Sequence, residues 1–118
     1  MPKEFQHDST HATRAHQAYL ILIGLAANHQ TIQYRELSQK MHFGEAGPLL
    51  AGPLGRIMHW CQREGLPALT SLVVEKATGL PSTGLTTVSA SEFPAEQQRV
   101  FSFDWFSIFP PTLEELTG

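Results

Sequence analysis

Every residue from Ala18 to Ala27 is apolar or glycine, in the order Ala18-Tyr19-Leu20-Ile21-Leu22-Ile23-Gly24-Leu25-Ala26-Ala27. A water-soluble helix built on such a run has no polar face to offer, so it must be central and covered on several sides. The run is far shorter than the roughly 20 residues that span a bilayer. It therefore belongs to a protein core, and the remainder of a 118-residue chain has to wrap it. That length corresponds to one domain with one core. Apolar residues make up 42% of the chain, enough to offset the entropy of ordering it, which argues against wholesale disorder. A single cysteine excludes an internal disulfide framework and an all-cysteine zinc site. The opening stretch MPKEFQHDST has no apolar h-region, which makes a cytoplasmic location the default.

Residues 1–8 are polar and read as a disordered N-terminus, leaving 9–118 as a single domain. Ser9 or Thr10 can cap a first helix running to about Asn28. Thr31-Ile32-Gln33 is a short extended link. A second helix covers about Tyr34–Met41, with Leu37 and Met41 one turn apart on its inner face. Phe43–Pro48 is rich in turn residues. A third helix runs from about Leu49, or from Pro53, to Glu64, and Gly65 is a favoured residue type to end it. Leu50, Leu54, Ile57, Met58 and Cys61 share its buried side by the 3.6-residue period. Thr70–Lys76 reads as a strand, Thr78-Gly79 as a turn, and Leu85–Val88 as the returning strand of a hairpin. Ala95–Phe106 reads as a last helix begun by Pro94, or as a strand at Phe101–Phe109 where alternation is strong. Thr112 can cap a short terminal turn at Leu113–Leu116.

Helix, link, helix, turn, helix, hairpin is the element order of a winged helix-turn-helix, which places its third helix in the major groove of DNA. The predicted fold class is thus a small α/β (α+β) domain. It has three N-terminal helices, a β-hairpin wing, and a C-terminal aromatic helix or strand.

Particular residues carry a resemblance to the DNA-binding domain of the alkylguanine-DNA alkyltransferases, over about residues 18–86. Thr31-Ile32-Gln33-Tyr34-Arg35-Glu36-Leu37-Ser38 resembles that family's threonine/serine-tyrosine-x-x-leucine-alanine opening. Pro53-Leu54-Gly55-Arg56-Ile57-Met58 resembles the start of its recognition helix. Leu66–Val74 followed by Thr78-Gly79 resembles its active-site segment and the glycine turn beyond. The resemblance implies a DNA-binding scaffold, with Tyr34 at the position that contacts the backbone of the flipped nucleotide. The departures are equally specific. Where the family has Pro-Cys-His-Arg-Val, this chain reads Leu69-Thr70-Ser71-Leu72-Val73, and the duplex-inserted arginine falls near Gly52. Alkyl transfer needs a thiolate, and a hydroxyl with no adjacent base is a poor nucleophile at neutral pH. The resemblance therefore implies binding to double-stranded DNA without catalysis.

Net charge is −3, with no basic excess overall. Residues 1–76 carry seven basic and six acidic side chains, whereas residues 77–118 carry Arg99 against Glu92, Glu96, Asp104, Glu114 and Glu115. A DNA surface would thus be local and confined to the first two-thirds. Arg56, His59, Trp60 and Arg63 fall on one face of the third helix, and Tyr34, Arg35 and Lys76 complete the set expected to touch DNA. The ordinary reading of the same helix is a solvated face with Trp60 packed under the C-terminal segment. The alternative function is a protein-interaction module binding through Trp60 or the acidic C-terminal third, with Glu92 and Glu96 in contact with a basic partner.

No enzyme constellation is present in the sequence. Cys61 falls on the inner side of its helix, where cysteine behaves as a small hydrophobe. His59, two residues away, faces elsewhere. His7 and His11 have the i, i+4 spacing of zinc ligands but only Asp8 as a nearby carboxylate, and the other histidines lack ligand spacing, so neither metal nor cofactor is expected. The aromatic run Phe101–Phe109 closes the core against the first helix, or lies on an edge strand and exposes a partner surface.

Overall fold

The computed structural model describes residues 11–42, 47–76, 79 and 90–117. Its elements are α1 (His11–Ala27), β1 (Ile32–Gln33), α2 (Tyr34–Lys40), α3 (Gly47–Glu64), β2 (Val73–Val74) and α4 (Phe93–Ser102). Single 3-10 turns cover Leu69–Leu72, Ala90–Glu92 and Trp105–Ser107.

The anticipated α/β winged helix with a hairpin wing is not what forms. The described chain is mostly helical, and its one sheet is a parallel pair of two-residue strands, with Ile32 opposite Val73 and Gln33 opposite Val74. A parallel pair cannot be a hairpin, because its strands need a long crossover between them. Of the strand predicted over Thr70–Lys76, only Val73–Val74 is extended; Leu69–Leu72 winds into a 3-10 turn. The predicted return strand Leu85–Val88, the frayed residues 1–8 and the Ser9/Thr10 cap lie outside the described residues.

α1 is the centre, as its apolar run requires. Ala12, Ala15, Ala18, Tyr19, Leu22, Ile23 and Ala26 are buried at helical spacing, and α3, α4, the Leu69–Leu72 turn and the Trp105–Ser107 turn all pack on it. The coverage is incomplete, since Leu20 reaches solvent. α1 ends in a Schellman motif: His29 N–H donates to Ala26 O at 3.1 Å and Gln30 N–H to Leu25 O at 2.9 Å. His29 takes the left-handed conformation at φ 54°, where glycine is usual. α3 ends the same way, with Gly65 at φ 67° and Leu66 N–H donating to Cys61 O at 2.9 Å.

α3 runs through Pro53 rather than starting there. Leu54, Ile57 and Cys61 are buried as predicted; Met58 is half-buried. α4 carries Phe93, Glu96 and Val100 on its inner face. Beyond it, Trp105 packs edge-on against Tyr19 at 6.5 Å and Phe103 at 4.7 Å, and its indole N–H donates to Val100 O at 2.9 Å. The aromatic region is therefore neither a long helix nor a strand, and it is divided. Trp105, Phe101, Phe103 and Ile108 face the core, while Phe106 and Phe109 face solvent.

Candidate functional site

The residues singled out for DNA contact separate into two groups. Tyr34 and Arg35 open α2 directly after β1, and the pairing of Gln33 with Val74 brings the chain leading to Lys76 alongside them. Tyr34 is half-buried against the core, and Arg35 and Lys76 are exposed, with Glu36 and Glu75 next to them in the chain.

The second group lies on α3, under the end of the chain. Arg56 Nη1 donates to Leu116 O at 3.0 Å and Thr117 O at 2.6 Å. Arg63 Nη2 donates to Glu115 O at 2.7 Å, and the Trp60 indole N–H donates to the Glu115 carboxylate at 3.2 Å. Residues 112–117 form a compact turn above these donors. Thr112 N–H donates to the Glu115 carboxylate at 3.0 Å, and Glu115 N–H donates to the Thr112 hydroxyl at 3.1 Å, the reciprocal pattern of a capping box. The side chain of Leu116 is fully buried. His59 remains exposed. The cap at Thr112 was legible from sequence; the answering Glu115 was missed, although a Thr-x-x-Glu spacing is the signal for it.

Two residues proposed for partner contact are placed otherwise. Trp60 is 4% exposed, edge-on to Tyr19 at 5.6 Å. It offers no surface, because the terminal turn covers the side of α3 it occupies. Glu96 is buried and accepts the Ala68 N–H at 2.7 Å while pairing with Arg99 at 2.8 Å, so it joins α4 to the chain before the 3-10 turn instead of facing outward. Glu92 is exposed.

The bonds to Thr112 and to Trp60 hold the Glu115 carboxyl below the usual glutamate range. A carboxyl whose folded value is depressed stabilises the folded arrangement above its ordinary value, and that contribution disappears as pH falls through the folded value. The contact between the turn and α3 is therefore expected to be complete at neutral pH and to weaken only below the ordinary glutamate range. The Trp60 indole N–H resonance reports this in an acid titration, and Glu115→Gln removes the pH dependence. A resonance that titrates near neutrality instead would show that Glu115 is not its controlling partner.

Cys61 is buried, and burial pushes its thiol up to about 11. A thiol so placed stays protonated and inert at neutral pH. Burial likewise pushes the Tyr19 hydroxyl to about 12. His29 stacks on Phe101 at 5.2 Å. Among the described residues no three His, Cys, Asp or Glu side chains gather as a metal site would require; His7 lies outside them. None of the described helices is long and apolar enough to cross a membrane.

What the described surface does offer is apolar. Phe109 is 93% exposed, Phe106 66% and Leu113 47%. All three fall within one stretch of eight residues, of which Phe106 and Phe109 belong to the run that its aromatic content assigned to the core, with an exposed edge strand as the alternative. The flanking charges are Asp104, Glu114 and Glu115, with no lysine or arginine between residues 100 and 118. Against known protein families, curated proteins and solved structures, the chain gives no match.

Proposed function

We propose that this protein is a binding module that recognises another protein, presenting Phe106, Phe109 and Leu113 to an apolar groove edged with lysine or arginine. The observation that carries the reading is the near-complete exposure of Phe109 beside Phe106 and Leu113 on a stretch bearing only negative charge. Exposed aromatic side chains are the usual anchors of protein interfaces, and acidic neighbours along the chain favour a basic partner.

Binding to double-stranded DNA is favoured less by this arrangement. Arg56 and Arg63 already donate to carbonyls of the chain's own terminal turn, and Arg63 stays exposed along with Arg35, His59 and Lys76. Phosphate contacts dominate DNA affinity, and few cations give little of it.

A photo-reactive phenylalanine analogue at position 109 of the full chain tests the proposal. It is expected to yield one discrete protein adduct in cells that weakens with salt. Phe106→Ala should reduce complex formation with that protein by about tenfold while leaving the fold unchanged. No adduct at position 109, with one appearing instead from an analogue at position 35, would place recognition on the other surface. Micromolar, salt-sensitive binding of a random labelled duplex, lost in Arg35→Ala or Lys76→Ala, would overturn the proposal in favour of DNA.

A further inference from the structure

We propose that the covered face of α3 is itself a peptide-recognition site, and that residues 112–117 fill it in cis. The ligand class is an acidic, leucine-anchored turn of the pattern Thr/Ser-x-x-Glu-Leu supplied by another protein.

The contacts have the character of recognition. Side chains from successive turns of one helix (Arg56, Trp60 and Arg63) supply only donors. They read the main-chain carbonyls of three consecutive residues, Glu115, Leu116 and Thr117, together with one carboxylate. Such donors select backbone in a fixed conformation and a negative charge at one position. Leu116 supplies the single buried apolar anchor. The turn meanwhile closes on itself, through the Thr112 and Glu115 pair and through the Thr117 hydroxyl donating to Glu114 O at 2.6 Å. Its conformation is thus set largely by its own bonds, and its departure from α3 uncovers the core around Leu116 and the Trp60 ring.

The geometry favours a foreign segment over exchange between two copies. Trp105, Ile108 and Pro111 hold the chain just upstream against its own body, so residues 112–117 lack the slack to cross to a second molecule. A tethered segment competes at an effective concentration in the millimolar range for a short linker. The wild-type site therefore admits only a tighter ligand of the same pattern, and the cis turn acts as a specificity threshold. Leu113 is common to this turn and to the apolar surface, so the two proposals are told apart by probe: peptide binding reads this site, and crosslinking at position 109 reads the other.

The test uses the full chain carrying Leu116→Asp, which removes the anchor and sets a charge against the apolar socket, with a labelled synthetic peptide of the sequence of residues 110–118 as probe. The variant is expected to bind the peptide at least about tenfold more tightly than the wild type does. Adding Arg63→Ala, or replacing the peptide's glutamate that corresponds to Glu115 by alanine, should each cost about tenfold. If Leu116→Asp loses its helical signal, Glu115→Ala carries the same test with the Trp60 indole N–H as reporter. A folded variant that ignores the peptide overturns the proposal. So does equal binding by wild type and variant. Binding of duplex DNA in preference to the peptide would assign the face to nucleic acid, and a wild-type dimer dissociated by the peptide would assign it to exchange between copies.

Discussion

Truncating Trp105 to alanine is expected to cost about 3–5 kcal/mol of stability, the range for a large aromatic removed from a packed core. The ring is 2% exposed and meets Tyr19 and Phe103 edge-on, and its N–H satisfies the Val100 carbonyl in the last turn of α4. The substitution therefore opens a cavity beside α1 and leaves one buried acceptor unpaired. Urea denaturation with an unchanged slope is the measurement. A loss below about 1 kcal/mol would mean that the segment after α4 is not part of the core. Phe109→Ala is the internal comparison, since a side chain this exposed contributes little to folding and should leave the midpoint nearly unmoved.

Glu96→Ala has the second-largest expected effect, about 2–3 kcal/mol, at the upper end for orphaning a buried donor. The N–H at stake belongs to Ala68, which donates to this carboxylate at 2.7 Å. The pairing with Arg99 adds little, because the Arg99 side chain is 68% exposed and solvent screens it. Glu96→Gln retains an acceptor oxygen and is expected to lose less than half as much. Equal losses in the two variants would mean that charge, rather than the bond to Ala68, is what matters. A stable Glu96→Ala protein that had lost a partner would return Glu96 to the interaction surface that sequence reasoning gave it.

The helices were legible because their signals are local. Tyr34 begins α2 where predicted, Leu37 and Met41 are both fully buried, and Gly65 ends α3 in the left-handed conformation. The sheet was misread for the opposite reason. Val73 and Val74 are β-branched and signalled a strand, but the strand's partner is Ile32-Gln33, some forty residues earlier and only two residues long, which no periodicity can announce. Trp60 marks a similar boundary. The helical period put it beside Arg56 and Arg63, and that is where it lies; its burial comes from the terminal turn. The face was legible, and so was the reading that packs Trp60 under the C-terminal segment; the carbonyls that Arg56 and Arg63 reach were not. Glu96 shows the converse, since a charged residue at an inner position of α4 reads as surface until its bond to Ala68 is seen. The split of the Phe101–Phe109 run follows from the 3-10 turn at Trp105–Ser107, which rotates successive rings to different sides and breaks any alternation.

The placement of α1 also bears on how the molecule comes apart. α3, α4 and both 3-10 turns that bracket the C-terminal half rest on this one helix, and the Arg14 guanidinium reaches from it to the Met41 carbonyl at the end of α2. An architecture of spokes on a hub has no internal seam. Removing any spoke uncovers the hub, and the spokes also meet one another, α3 and α4 both packing on the Leu69–Leu72 turn. Unfolding should therefore be all-or-none, with tryptophan fluorescence and helical circular dichroism following one transition. Evolution or engineering can decorate such a chain at its rim but cannot divide it.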